Sequence, residues 1–404
     1  MRDGNPRRDA SALQRALARA ASVRSQIDSF IVMDVMSRAA AAEQAGRHVI
    51  HMEVGQPATP APTPAREAAK RAIDDGALGY TLALGTSLLR VAIARHYATT
   101  YGVEVAPERV VVTTGSSAGF VLAFLALFDA GDCVALPEPG YPCYRHILSA
   151  LGQTPVSIVT GAADRWMPTP QAIAGLADGE RPISGVLIAS PANPTGTMLE
   201  PERLAAIARL CEARGIWFIS DEIYHGLTYA SSAETALRFS DEAIVINSFS
   251  KYFSMTGWRV GWMVVPERLV RPIERLAQNL YIAPPAISQV AALAAFEAES
   301  ELRANLGRYA ANRALLLEAL PRIGFDQIVP ADGAFYLYCD VSRWTGDSLA
   351  FARAMLDDIA VAVTPGVDFD PVRGRNFIRF SYAGSTDDMA EALRRLADWD
   401  RLRG

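Results

Sequence analysis

The chain has 404 residues, half of them apolar, and a net charge of −5 at pH 7. That length holds two ordinary domains or one large domain with a satellite, and the acidic balance gives no electrostatic case for nucleic acid or an anionic membrane. No apolar run reaches the roughly 18 residues of a membrane span. The four cysteines (Cys133, Cys143, Cys211, Cys339) form no CxxC and do not join the five histidines at zinc-ligand spacing, so they read as reduced thiols of a cytoplasmic protein and no metal is expected.

Residues 1–29 read as an N-terminal extension. Arg2, Arg7, Arg8, Arg15, Arg19 and Arg24 give it the look of a transit peptide, but Asp3, Asp9 and Asp28 interrupt it. A helix over roughly 30–46, ended by Gly46, leads to a strand from His48 to Val54 and a proline-rich turn over Gly55–Pro62. From about 64 onward helical segments alternate with apolar strands at Val110–Thr114, Cys133–Leu136, Gly185–Ala189, Trp217–Ser220 and Ile244–Asn247; residues 117–129 suit a buried helix. Continuous apolar strands between helices indicate a parallel sheet covered on both faces, an α/β fold in three layers. A polar motif follows most of these strands, where an open α/β sheet places its ligands. A long helix near 285–320 then leads to strands around Ala334–Cys339, Val361–Thr364 and Asn376–Tyr382. The expected division is a large domain over 63–303 and a smaller α+β domain built from 30–62 and 304–404.

Lysine is nearly absent: two residues, Lys70 and Lys251, against 37 arginines. Lys251 lies in Ser248-Phe-Ser-Lys251-Tyr-Phe-Ser-Met-Thr-Gly-Trp-Arg259-Val-Gly-Trp262. Arginine supplies charge but cannot form an imine at neutral pH, whereas a lysine with a lowered pKa can. Arginine bias alone could leave a stray surface lysine. The neighbours argue otherwise, since Ser248, Ser250 and Arg259 are residue types that hold a phosphate. An imine-forming lysine beside a phosphate cradle suggests pyridoxal phosphate.

Four further segments carry chemistry. Thr113-Thr-Gly115-Ser116-Ser117-Ala118 follows a strand and opens a helix, whose free N–H groups and dipole accept a phosphate; it is also an ordinary helix start. Ser190-Pro-Ala-Asn193-Pro194-Thr-Gly196 fixes Asn193 at a stiff turn, where its amide could donate to a phenolate oxygen. Trp217-Phe-Ile-Ser-Asp221-Glu222-Ile223-Tyr224-His225 sets Asp221 at a strand end, where a carboxylate can keep a pyridine nitrogen protonated and the ring an electron sink; Tyr224 could tune the imine, and Glu222 and His225 receive no catalytic role. Asn376-Phe-Ile-Arg379-Phe-Ser-Tyr382 buries an arginine in an apolar strand, a costly placement unless it is paired. A substrate carboxylate or an internal salt bridge would satisfy it.

Together these segments resemble the class I/II aminotransferases, fold type I pyridoxal-phosphate enzymes like aspartate aminotransferase, from about residue 30 to 400. The resemblance implies a mostly parallel seven-stranded sheet in the large domain. It implies that Lys251 holds the cofactor as an imine and shuttles the substrate proton, that Asp221 pairs with the pyridinium, and that Asn193 and Tyr224 contact the phenolic oxygen. Ser116, Ser117, Ser248, Ser250 and Arg259 would hold the phosphate, with Ala118 in the same turn among the cofactor contacts. Tyr141, in Pro139-Gly-Tyr-Pro-Cys-Tyr144, would stack on the ring. Arg379 would clamp the substrate α-carboxylate, with Gly55, Asn193 and Tyr141 beside it. Tyr80 would reach the neighbouring subunit's phosphate, which implies a homodimer. The expected reaction is ping-pong transfer of an amino group from an L-amino acid, neutral or aromatic, to a 2-oxo acid. A β- or γ-lyase, decarboxylase or oxidase would keep the same apparatus; a non-catalytic sensor would need a DNA-binding module that the short extension does not supply.

Two departures stand out. The loop Gly55-Gln-Pro57-Ala58-Thr59 lacks the acid and aromatic usual in the family, and the phosphate turn reads Gly-Ser-Ser-Ala in place of a glycine-richer form. Val32, Tyr141, Arg145, Asn279 and Tyr281 are the candidates for contact with the substrate side chain.

Overall fold

The computed structural model describes residues 21–76 and 78–402. Most of the N-terminal extension, residues 1–20, lies outside the described residues; from 21 to 29 the chain makes a single short turn at Val23–Ser25. Eleven strands follow among the described residues: β1 (Ile50–Met52), β2 (Val110–Thr113), β3 (Cys133–Glu138), β4 (Thr154–Val159), β5 (Ile183–Ala189), β6 (Trp217–Asp221), β7 (Ile244–Ser248), β8 (Gly261–Val264), β9 (Tyr336–Asp340), β10 (Val361–Pro365) and β11 (Phe377–Ser381).

Seven strands form one sheet in the order β2-β8-β7-β6-β5-β3-β4. All neighbours are parallel except β8, which runs antiparallel to both β2 and β7. Strands β2 and β7 are buried at every position, which is why they read as unbroken apolar runs. The expected α/β class and seven-stranded sheet hold. Two of the seven strands were not anticipated. Strand β4 is the half-exposed edge and carries Pro155, as an edge strand tolerates. Strand β8 lies within the lysine segment's continuation, where Gly261 weakens the strand pattern.

The second sheet has the order β1-β10-β11-β9. Strand β1 pairs in parallel with β10, Ile50 opposite Val361, so the two ends of the chain share one sheet. The expected long helix over 285–320 is two helices, Ala286–Ala295 and Glu299–Ala319. Neither glycine nor proline marks the break. Phe296 lies half-buried at the break, its ring 5.3 Å from those of both Phe249 and Phe253, contacts that accompany the change of direction between the two helices.

Candidate active site

The carboxyl ends of the parallel strands meet the second sheet at a cavity of about 210 Å³. Lys251 lies three residues beyond β7, and Asp221 closes β6. Asn193 sits in the turn after β5, while Ser116 and Ser117 open the helix Gly115–Leu127 that follows β2. Arg379 enters from the other side, at the centre of β11. These six residues, with Gly55, Tyr141, Tyr224, Ser250 and Arg259, all line the cavity.

Lys251 is half-buried there. Burial, with Arg379 and Arg259 adding positive potential, lowers its pKa to about 8, against a smaller opposing pull from Asp221. Its Nζ donates to the Gly55 carbonyl at 2.6 Å. Gly55 must be glycine, because a Cβ would lie 1.7 Å from the Tyr336 hydroxyl.

Asp221 is 2% exposed. Burial pushes its pKa up to about 6, while hydrogen bonds from the Tyr144 hydroxyl and the Ile223 N–H hold it down. The local sequence explains Tyr144. Pro142 opens the helix Pro142–Leu151 and leaves Tyr141 at the N-cap, where proline is well suited to the first turn. Tyr144 follows three residues later, so both rings face the site and meet edge to face at 5.2 Å.

At the opposite end, the guanidinium of Arg259 lies against Gly115, where a Cβ would come within 2.4 Å of its Nη2. Gly115 also has φ +74°, a conformation glycine adopts without penalty. An arginine packed on a helix N-terminus beside Ser116, Ser117 and Ser250 makes a cradle for an anion. Ser248 stands one bond behind this cradle: its hydroxyl donates to Val260 O at 3.0 Å and pairs with Ser250 Oγ at 2.8 Å. Neither Ser248 nor Ala118 lines the cavity.

Arg379 is 3% exposed. It donates to Asn193 Oδ1 at 2.6 Å, to Thr364 Oγ1 at 3.1 Å and to the Glu53 carbonyl. Its guanidinium is sandwiched between Tyr336 and Phe369, 4.3 and 4.7 Å from their centroids. No carboxylate is paired with it among the described residues, and its Nε is buried without a partner. Tyr224 donates to or accepts from Tyr336, their hydroxyls 2.7 Å apart.

Some sequence candidates lie elsewhere. Tyr80 is 87% exposed and lines no part of this chain's cavity. Of the side-chain pocket candidates, Val32 and Tyr141 line the cavity. Arg145 instead donates to Asp368 O at 2.6 Å, and Asn279 bonds its own helix at Arg275 O; neither these two nor Tyr281 lines it. Sequence reasoning missed Tyr144, Tyr336, Phe30 and Met33. Tyr144 had a signal in its three-residue spacing from Tyr141; the other three had none. Phe30 meets Tyr141 edge-on at 5.7 Å and supplies an aromatic at the site, as the loop 55–59 does not.

Glu222 and His225 form a layer beneath Asp221. Glu222 accepts from Thr235 Oγ1 and Ala236 N at 3.0 and 2.9 Å, and burial pushes its pKa up to about 8. His225 donates through Nε2 to Ser190 O at 3.0 Å, bracing the turn that carries Asn193.

An α/β sheet that ends in a lysine, a carboxylate and an anion cradle defines a fold type I pyridoxal-phosphate enzyme. A family model described as aminotransferase class I and II matches residues 47–396, and the chain belongs to that family. A Mycobacterium tuberculosis protein named valine–pyruvate aminotransferase is 51% identical over 382 residues, covering 94% of this chain and 98% of that one. The crystal structure of an aminotransferase from M. tuberculosis superposes with a TM-score of 0.92 at 50% identity, over 95% of this chain and 99% of that one. The aspartate aminotransferase of Thermus thermophilus with maleate gives 0.88 at 31% identity, over 94% and 99%. The protein is therefore an aminotransferase (EC 2.6.1.-), and its cofactor is pyridoxal 5′-phosphate. The residues present fit that group: a half-buried amine of lowered pKa, a buried carboxylate and an arginine-backed helix N-terminus converge on one cavity.

Proposed function

We propose that the enzyme moves the α-amino group of a neutral, medium-sized L-amino acid such as valine to a 2-oxo acid such as pyruvate, in two half-reactions of a ping-pong cycle. The carrying observation is how the cavity's cations are used. Arg259 belongs to the anion cradle and Lys251 to the reacting centre, which leaves Arg379 for the α-carboxylate. No further lysine or arginine lines the cavity among the described residues; Phe30, Val32, Met33 and Val54 line it instead. A side-chain carboxylate would find no cationic partner among the described residues that line the cavity. The name of the M. tuberculosis relative supports the same choice.

When bound, the cofactor supplies an electron sink that makes the substrate's Cα–H acidic. Lys251 Nζ, with a pKa close to working pH, takes and returns that proton. Asp221, ionised above about pH 6, holds a proton on the ring nitrogen. Asn193 and Tyr224 would hydrogen-bond the phenolic oxygen, and Tyr141 would support the ring. Ser116, Ser117, Ser250 and Arg259 take the phosphate, Ser248 orients Ser250, and Ala118 completes the turn. Arg379 grips the α-carboxylate, with Gly55, Asn193 and Tyr141 alongside. On this reading residues 63–303 are the cofactor domain and 30–62 with 304–404 the smaller one. The enzyme works as a cytoplasmic homodimer. Tyr80 is exposed in an apolar stretch with Leu82, Leu88 and Val91, a surface that a second copy would cover, bringing Tyr80 to that copy's phosphate.

The test mixes holoenzyme with single amino acids, without any oxo acid, and follows cofactor absorbance. Valine and its near neighbours are expected to convert it, and aspartate and glutamate to fail. Fastest conversion by aspartate overturns the donor class, and release of ammonia or uptake of oxygen moves the reaction to a lyase or oxidase. A second outcome concerns pH. Tyr144→Phe removes a hydrogen bond that favours ionised Asp221, so the pKa of Asp221 rises and more of it is protonated at a given acid pH. The acid limb of kcat/KM is expected to move to higher pH, with little change at pH 8. An unmoved limb would remove Tyr144 from this role.

A further inference from the structure

The helix Ile31–Gln44 opens without a capping side chain of its own. Its first turn nonetheless carries Val32 and Met33 into the cavity, and Phe30 immediately precedes it. The cap comes from the other end of the chain. Asp368, 0% exposed, accepts from the N–H of Ile31 through Oδ1 and from that of Val32 through Oδ2, each at 3.2 Å. A carboxylate at a helix N-terminus satisfies free N–H groups and complements the dipole.

Three other contacts radiate from the same short turn after β10. The backbone carbonyl of Asp368 accepts from Arg145 Nη2 at 2.6 Å. The ring of the next residue, Phe369, lies 4.7 Å from the Arg379 guanidinium. The carbonyl of Phe369 accepts from Gly140 N at 3.0 Å, next to Tyr141. One turn thus ties together the carboxylate clamp, the ring platform and the apolar wall.

We propose that Asp368 is a specificity-determining positioning residue: by capping the helix Ile31–Gln44 it fixes the wall of Phe30, Val32 and Met33 at a set span from Arg379, and that span selects branched aliphatic donors over shorter ones. The inference rests on the neutral-donor reading of the cavity. A donor held by its α-carboxylate at Arg379 reaches the wall only if its side chain is long enough. Valine's side chain reaches one carbon further from Cα than alanine's methyl, so a wall set just beyond the methyl is met by valine alone.

The test compares holoenzyme with its Asp368→Asn variant. Asparagine keeps one acceptor and turns its NH2 toward the second N–H. Amide hydrogen exchange at Ile31 and Val32 is expected to accelerate by roughly tenfold or more, as it does where a helix end is released to local opening. The ratio of kcat/KM for valine to that for alanine is expected to fall on the order of tenfold, the discrimination typical of one or two apolar groups in a pocket. General destabilisation would slow both donors alike and leave the ratio alone. Ile31→Pro gives an independent probe should the first variant fold poorly. Proline is well tolerated at the first helical position, Phe30 already has the extended backbone it requires (φ −83°, ψ 101°), and one of the two donors to Asp368 disappears without any change of charge. Its valine-to-alanine ratio should drop in the same direction. A cycle with Val32→Ala should be non-additive, because both changes act through one wall. Unchanged exchange in Asp368→Asn, or faster exchange with an unchanged ratio in both variants, overturns the proposal. A wild-type enzyme with no preference for valine over alanine instead overturns the donor reading, and the exchange result would still stand.

Discussion

Lys251→Ala is expected to lose turnover by on the order of 10⁴-fold or more while keeping the fold. Lys251 is the lysine that lines the cavity, and the other lysine of the chain, Lys70, is exposed in an ion pair with Glu67 at 2.8 Å, so nothing nearby can substitute. Lys251→Arg should be as inactive, because a guanidinium keeps its proton at neutral pH. Stability provides a second readout. The folded-state pKa of Lys251 is about 8, below the roughly 10.4 of an unfolded lysine. Between those values the unfolded chain binds the proton and the folded one does not, so the wild-type protein gains stability as pH rises through this window. Cofactor-free Lys251→Ala should therefore melt above wild type at pH 7, with the difference shrinking toward pH 10. Turnover within tenfold of wild type would remove Lys251 from the proton transfer. A melting difference that does not depend on pH would contradict its burial as a strained cation.

The second large effect is expected at Arg379. Arg379→Leu should reduce kcat/KM for amino acids by roughly 10²–10³-fold, the consequence of removing one member of a buried charge pair with the substrate carboxylate. Most of the loss should fall on KM. Arg379→Lys keeps the charge but not the two-pronged donor geometry and should fall between. The leucine variant also abandons Asn193 Oδ1, Thr364 Oγ1 and the Glu53 carbonyl. Each unpaired buried group costs about 1–3 kcal/mol, so the melting temperature should drop as well. A branched alkylamine, which has no carboxylate, separates the two effects. If the clamp is correctly assigned, wild type and variant convert it equally slowly. A variant that loses the amine reaction to the same factor as the amino-acid reaction would show the arginine to be structural.

The lysine segment and the buried arginine are legible in the sequence for one physical reason. Each breaks a local rule, an amine kept in an arginine-rich chain and a cation set inside an apolar strand, and neither breach makes sense without a partner. The α/β class is legible because strands buried on both faces must be apolar throughout. Residues that obey their local rules stay hidden. Tyr336 reads as an ordinary strand aromatic, yet it packs on Arg379 and bonds Tyr224, 112 residues away in sequence. Asp368 reads as a loop acid, and its partners Ile31 and Val32 lie 337 and 336 residues earlier. Phe296, at the break, meets rings from a distant segment, which no window along the chain contains. Arg145 is a true ambiguity in sequence: an arginine four residues beyond Tyr141 could meet a substrate or a backbone carbonyl, and here it takes the carbonyl.

The scarcity of lysine has a consequence for the chemistry of the chain as a whole. A cofactor that carries a free aldehyde condenses with any accessible primary amine, and most proteins offer many such decoys on their surface. Here 37 of the 39 basic residues are arginines, and the one lysine outside the cavity has its ammonium against a carboxylate. Stray capture is confined almost to a single side chain. An amine-selective reagent therefore meets only Lys70 and the terminal amine besides Lys251, so the loss of one labelled amine on cofactor binding reads occupancy of the cavity.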